Sequence, residues 1–262
     1  EEGKNKIIIP SESDVFEVFK AISDKTILVT KAVNDKKIIP YFQPIMNNFT
    51  NEVEFCEVLS RIDTPEGVMN AYEFIEIAEK IGVISKLDLI LLENAIIETL
   101  KSSYKGKLFI NLSPRSLVIS EFIPEVLRIT EHYHFDRSRI VFEITERETV
   151  KNISLLDKFI ANLKNEGFGF AIDDFGSGFC SFQYLRRFPV EYIKIEGEFI
   201  RNILNDNKDL VLVKTLTVIA KEYGIKTIAE YVESEELLKE IRALGINYSQ
   251  GYHIGKPSAH LP

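Results

Sequence analysis

The chain is poor in cysteine, in long apolar runs and in positive charge. Its two cysteines, Cys56 and Cys180, are too few for a disulfide scaffold and read as small core residues in a reducing compartment. No stretch approaches the ~20 consecutive apolar residues of a membrane helix, which excludes a helical span. The opening EEGKNKIIIP is acidic and polar, unlike a signal peptide, and lacks a methionine. A fragment or processed form of a longer protein is therefore expected, with this part cytoplasmic even if the full-length protein is membrane-attached. With 32 Lys+Arg against 40 Asp+Glu the formal charge is −8, which argues against duplex nucleic acid as a partner. A small anion held by local charges or metal ions stays open. No internal repeat or low-complexity tract is present. The four histidines show no metal-ligand spacing, and no Ser/His/Asp or Cys/His nucleophile arrangement stands out.

At 45 % hydrophobic and 27 % charged, the 262 residues have an ordinary globular balance. Barrels of the α/β class often use about 250 residues as one unit. Residues 1–37 are mixed, with an apolar patch at 7–9, Pro10 and a helix-like stretch at 13–22. They read as a lead-in or as the end of an upstream module, and 38–262 as one domain. From residue 38 short β-rich runs (38–45, 53–62, 107–112, 139–144, 168–172, 190–195, 226–229 and about 246–249) alternate with helical segments (71–81, 85–100, 119–133, 154–166, 209–223 and 235–244). Gly82, Gly167, Gly224 and Gly245 each follow a helix, as left-handed caps do. Eight strands with intervening helices fit a (β/α)8 barrel. The link 47–52 is too short for a helical crossover, so the first two strands are expected to pair antiparallel.

Polar residues sit where such strands end: Glu57, Asn111, Glu143, Asp173 with Asp174, Lys194, Glu230 and Gln250. Asp and Glu are depleted in strands, so acids closing strand after strand need a reason. For one acid alone a helix cap or surface ion pair would suffice; for the set it does not. Alternation puts Glu57 with Leu59 and Arg61 on one face, and Asp173 with Gly169 and Ala171, leaving room inside the barrel. Clustered carboxylates cannot all stay ionised without countercharge: either some protonate or cations sit among them. Oxygen donors with one Asn amide select Mg²⁺ or Mn²⁺ over Zn²⁺, and Asp173 and Asp174 can serve two ions. Two ions about 3.5–4 Å apart would polarise a phosphoryl group and activate water. Lys194 would offset the anionic charge and hold the water or a phosphate oxygen. The loop Asp174-Phe175-Gly176-Ser177-Gly178 reads as a phosphate cradle, a moving loop or a plain turn. Glu146 reads either as an acceptor for that loop or as a helix-start carboxylate.

These residues resemble a known family, the EAL-domain cyclic di-GMP phosphodiesterases. Cys56-Glu57-Val58-Leu59-Ser60-Arg61 resembles the E-A-L-x-R signature. Tyr41-Phe42-Gln43-Pro44-Ile45, Ile110-Asn111-Leu112-Ser113, Glu143-Ile144-Thr145-Glu146, Asp173-Asp174-Phe175-Gly176-Ser177-Gly178, Ile193-Lys194-Ile195-Glu196, Ala229-Glu230-Tyr231-Val232-Glu233, and Gln250-Gly251-Tyr252 with Gly255-Lys256-Pro257 follow in family order over about 38–258. The resemblance implies a modified TIM barrel and metal-dependent hydrolysis of cyclic di-GMP to linear pGpG. It places metal ligands at Glu57, Asn111, Glu143, Asp173, Asp174 and Glu230. It makes Lys194 the orienter of the water and Glu230 the general base, with Glu57 also catalytic. Gln43, Leu59, Arg61, Asp174, Glu196 and Gln250 fall at dinucleotide contacts, and Glu146 steadies the loop. Two Mg²⁺ or Mn²⁺ ions, a homodimer and an upstream sensory or cyclase domain are also implied.

The sequence departs from the pattern at Val58 for Ala, Ser177 for Thr, Glu196 for Asp and Tyr231 for Gly. Glu76 stands where Pro is frequent. Other expectations are a silent sensor that binds cyclic di-GMP, an unrelated metal-dependent barrel acting on a phosphorylated molecule, and a protein-interaction domain. A silent sensor usually lacks several ligand positions, all of which are filled here.

Overall fold

The short polar link after the first strand sets the unusual topology. The computed structural model describes residues 12–147, 153–177 and 183–262. A helix, α1 (Glu12–Asn34), leads into β1 (Ile38–Asn47), β2 (Val53–Thr64) and β3 (Gly67–Asn70). Then come α2 (Ile75–Lys80), α3 (Ile84–Lys101), β4 (Lys107–Asn111), α4 (Phe122–His132), β5 (Ile140–Thr145) and α5 (Ile153–Asn165). The second half runs β6 (Gly169–Phe175), α6 (Gln183–Arg187), β7 (Tyr192–Ile195), α7 (Gly197–Asn202), α8 (Asn207–Glu222), β8 (Lys226–Ala229), α9 (Glu235–Ala243) and β9 (Tyr248–Gln250).

β1 pairs antiparallel with both β2 and β9, while the neighbours from β2 through β4, β5, β6, β7 and β8 to β9 are all parallel. The ring closes as a (β/α)8-type barrel with an antiparallel first strand. β3 is an extra strand outside the ring. It folds back on β2 from Thr64↔Gly67 to Arg61↔Asn70 around Pro65 and Glu66. Its exposed, short sequence gives no alternating pattern, although Pro-Glu-Gly is a turn signal.

Two apolar layers follow from strand alternation. Outward residues such as Cys56, Val58, Leu108 and Ile110 belong to one continuous buried cluster with helix residues such as Leu91, Ala95, Val213 and Leu216. Inside, each barrel strand contributes one residue to a plug: Ile45, Phe55, Phe109, Val141, Ala171, Tyr192, Ile228 and Tyr248. Burying a large apolar side chain is worth about 1.5–3 kcal/mol, so this layer seals the barrel floor. Cys56 lies in the outer layer, where burial pushes its thiol up to about 11, and is inert. Cys180, Gly178 and the patch at 7–9 lie outside the described residues.

α1 is longer than its 13–22 periodicity predicts. Its second half carries the β-branched Thr26, Ile27, Val29 and Thr30, yet Val29, Ala32 and Val33 are buried where α1 packs on α2 and α3, and this holds it helical. The Thr26 and Thr30 hydroxyls donate to the carbonyls of Ile22 and Thr26. β6 extends three residues beyond its predicted end, through Asp173, Asp174 and Phe175. The short helices α6 and α7 carry too few residues to show a period. No helix among the described residues is long and apolar enough to cross a membrane.

Candidate active site

Two residues along each strand from the plug, on the same inward face, stands a polar group. Phe55 leads to Glu57, Phe109 to Asn111, Val141 to Glu143, Ala171 to Asp173, Tyr192 to Lys194, Ile228 to Glu230 and Tyr248 to Gln250. On antiparallel β1 the step runs backwards, from Ile45 to Gln43. Parallel strands and one reversed strand thus aim their polar residues at the same mouth.

Lys194 is the hub. Its Nζ lies 3.0 Å from Glu230 Oε1, 3.2 Å from Glu57 Oε2, 3.2 Å from Asp173 Oδ1 and 3.3 Å from Glu143 Oε1. Burial opposes the ammonium, but these four carboxylates hold its pKa well above the ordinary lysine value, so it stays charged. Burial pushes the Glu57 carboxyl up. Lys194 and hydrogen bonds from Gln250, Lys194 and Asn111 outweigh that and hold it below its ordinary value. Asn111 Nδ2 donates to Glu57 Oε1 at 2.7 Å and Gln250 Nε2 to Glu57 Oε2 at 2.6 Å. The other three carboxyls move the opposite way. Burial, with the neighbouring acids, raises Glu143 well above its usual range, lifts Asp173, and takes Glu230 up to about 8, all against the pull of Lys194.

One ammonium cannot balance this set. Both Glu143 carboxylate oxygens and Asp173 Oδ1 are buried without a hydrogen-bond donor of sound geometry, although Lys194 is near. Carboxylate oxygens of Asp173, Asp174 and Glu230 lie within 4.8 Å of one another. Hard oxygen donors, buried and short of positive partners, fit divalent cations of the Mg²⁺ or Mn²⁺ type.

Asp174 reaches this group through a fault in the sheet. On a regular strand it would face away from Asp173. The β6–β7 register slips between Ile172 and Phe175, and Asp174 takes φ 52. This bulge turns consecutive carboxylates toward one space. Beyond it, Gly176 N donates to Glu146 Oε2 at 2.9 Å. Glu196 shares a hydrogen bond with Asp174, and burial followed by Asp174 raises its carboxyl.

Above the hub opens a cavity of about 490 Å³ lined by Gln43, Glu57, Leu59, Arg61, Glu230 and Gln250, and also by Asn70, Tyr72, Arg201, Tyr231 and Tyr252. Glu196 is not in this lining. Gln250 Nε2 donates to Gln43 Oε1 at 3.2 Å. The Arg61 guanidinium stacks 5.3 Å from the Tyr41 ring centroid and donates to Ser60 O at 2.9 Å. Sequence reasoning missed Asn70, Tyr72, Arg201 and Tyr252. Asn70 ends β3, Tyr72 lies in the turn that follows it, and Arg201 sits on the six-residue α7, where no barrel-strand end marks them.

A closed barrel with an acidic, cation-fitting floor beneath an Arg-lined cavity defines a class of proteins that act on or bind phosphorylated ligands. The sequence model of the EAL domain matches residues 29–257, and the chain belongs to that family. It is 32 % identical over 261 residues to cyclic di-GMP phosphodiesterase PdeB of Shewanella oneidensis, covering 97 % of this chain and 30 % of that protein. Probable cyclic di-GMP phosphodiesterase PdeA of Escherichia coli is 30 % identical, over 87 % of this chain and 32 % of its own. The chain therefore spans about a third of these relatives' length. The FimX EAL domain of Pseudomonas aeruginosa, solved bound to c-di-GMP, superposes with a TM-score of 0.84 at 26 % identity, over 90 % of this chain and 97 % of that one.

Proposed function

We propose that this domain hydrolyses one phosphodiester bond of cyclic di-GMP to give linear pGpG, lowering a bacterial second messenger. The observation that carries the reading is the place of Lys194: one buried cation among four carboxylates at the floor of a nucleotide-sized cavity. The relatives' names and the ligand of the FimX EAL domain support the same substrate.

Glu57, Asn111, Glu143, Asp173, Asp174 and Glu230 would hold two Mg²⁺ or Mn²⁺ ions. Such ions, when bound, polarise the phosphoryl oxygens and lower the pKa of water. Lys194 donates to the attacking water and fixes its direction. Glu230 takes one proton from that water as its oxygen joins phosphorus; the bond from phosphorus to the 3′ oxygen breaks, and that oxygen gains a proton. Arg61 offers its planar fork to a phosphate oxygen. Gln43, Leu59 and Gln250 contact the dinucleotide, with Asp174 and Glu196 at its edge, and Glu146 steadies the loop through Gly176.

On this reading residues 1–37 lead in from an upstream sensory or cyclase module, and α1 transmits its state through α2 and α3, where Val29, Ala32 and Val33 are buried. The domain works in the cytoplasm, as a homodimer. The test is incubation of purified protein with cyclic di-GMP, with and without Mg²⁺. Linear pGpG formed only with metal supports the reading; tight binding without product replaces it with a sensor.

A further inference from the structure

Tyr231 is the largest departure from the family pattern, and its surroundings are shaped to hold it. The residue directly follows Glu230, lines the cavity and is 48 % exposed. Its backbone sits at φ 53, a region that bulky side chains avoid. Something must compensate for that strain. A Cβ added at Gly197 would stand 1.9 Å from Tyr231 Cδ2, so the ring lies in a notch that only glycine leaves open. One helical turn on, Arg201 places its guanidinium 3.9 Å from the ring centroid, the closest cation–ring pair among the described residues. Gly197 and Arg201 are four apart on α7 and so share a face. That face supplies both notch and clamp. Arg201 forms no ion pair among the described residues and also lines the cavity.

We propose that the stacked Arg201–Tyr231 pair is a nucleobase platform that selects guanine over adenine, a deepening that rests on the cyclic-dinucleotide reading above. A purine stacks on flat, polarisable groups such as a tyrosine ring and a guanidinium. The free donors of an arginine fork match the O6 and N7 acceptors of guanine. Adenine offers an amino donor in place of O6, so the same fork meets donor with donor. Arg61, stacked on Tyr41 across the mouth, is left for the phosphate. The platform touches only the base, and its effect lies in affinity and base preference.

The experiment compares wild type, Arg201→Ala, Arg201→Lys, Tyr231→Gly and Tyr231→Phe in steady-state cleavage of cyclic di-GMP and cyclic di-AMP. Arg201→Ala and Tyr231→Gly should each raise KM for cyclic di-GMP at least about fivefold, the scale of one lost stacking contact. Their kcat should stay within about twofold, because only binding is removed. Tyr231→Phe should keep wild-type KM. Arg201→Lys keeps the charge but loses the fork, and should narrow the guanine preference as Arg201→Ala does. Tyr231→Gly should melt no lower than wild type, since glycine relieves the left-handed backbone, so its weaker binding is not misfolding. An active wild type whose KM and base preference survive both Arg201→Ala and Tyr231→Gly overturns the platform alone. A wild type that neither cleaves nor binds cyclic di-GMP overturns the functional reading instead. For a wild type that binds without cleaving, dissociation constants replace KM in the same comparison.

Discussion

Tyr192 and Lys194, two positions apart on β7, point into the same space and divide it. Tyr192 closes the floor against Phe55 and Phe109, with ring centroids 5.5 and 5.1 Å away. Lys194 rises above that floor to within 3.0–3.3 Å of four carboxylates. Water cannot enter from below, so the effective dielectric is low and each charge in the cluster is felt strongly.

Removing the ammonium should therefore be severe. Lys194→Met leaves four buried acids uncompensated, a loss of about 3–5 kcal/mol in metal-free protein at pH 8. The loss should shrink toward pH 5, because Glu230, pushed up to about 8, is then protonated, and burial shifts Glu143 and Asp173 in the same direction. Urea unfolding at the two pH values measures this. Equal losses at both would show that the acids do not feel Lys194.

The acids should trade stability for cation binding. Glu143→Gln replaces a fully buried, undonated carboxyl, in which burial disfavours the charged form, with a neutral amide and should raise the melting temperature without metal. Divalent ions at 100 times their dissociation constant stabilise a folded protein by about 2.7 kcal/mol, and this gain should diminish in the variant. Melting curves with chelator and with Mg²⁺ test both halves.

Kinetic variants should separate into two kinds. Glu57→Ala and Asp173→Asn should abolish turnover, whereas Arg61→Ala should raise KM and largely spare kcat. Full activity of Glu57→Ala would refute the cation assignment.

On the proposed reading Glu146 acts at a distance, through the Gly176 amide that donates to its Oε2. Glu146→Ala should speed hydrogen exchange at Gly176 and lower kcat about tenfold, the scale of one hydrogen bond to a charged group. Glu146→Gln retains an acceptor and should restore most of both. Unchanged exchange in the alanine variant would leave the loop without its tether to this residue.

Away from the cluster, Asp88 should give the fold a pH signature. Its Oδ2 accepts from Ser116 Oγ at 2.7 Å and Ser113 N at 3.2 Å, on the chain just past Asn111. Burial still pushes its carboxyl from 3.8 up to about 6. The unfolded chain releases this proton first, so folding stability falls as pH rises through that window and is level above it. Two pKa units correspond to about 3 kcal/mol, a drop that Asp88→Asn should lack in denaturant titrations at pH 4 and 7.

Much of the barrel was legible. Runs such as 107–112 and 226–229 end one residue past Asn111 and just before Glu230, and the short link at 47–52 correctly implied an antiparallel first pair. The β3 flap was not legible, because four half-exposed residues gain their order only by pairing with β2. The second half of α1 was not either, because its β-branched residues are helical only where Val29 and Val33 are buried as α1 packs on α2 and α3. Arg201 carried no signal at all: its neighbour Tyr231 lies 30 positions away along the chain.

The sequence by itself determined which residues face inward, since side chains alternate along any strand and a polar group two places beyond an apolar one shares its side. That alone puts Glu57, Glu143, Asp173 and Lys194 in one interior. Alternation does not bring Asp174 in beside Asp173, since it turns Asp174 outward; adjacency and the family resemblance named it, without a geometry. The tertiary structure decided that, through a register slip against β7 and a left-handed backbone at Asp174. Such strain is tolerated only where surrounding packing holds it, and packing is a property of the closed barrel rather than of any segment.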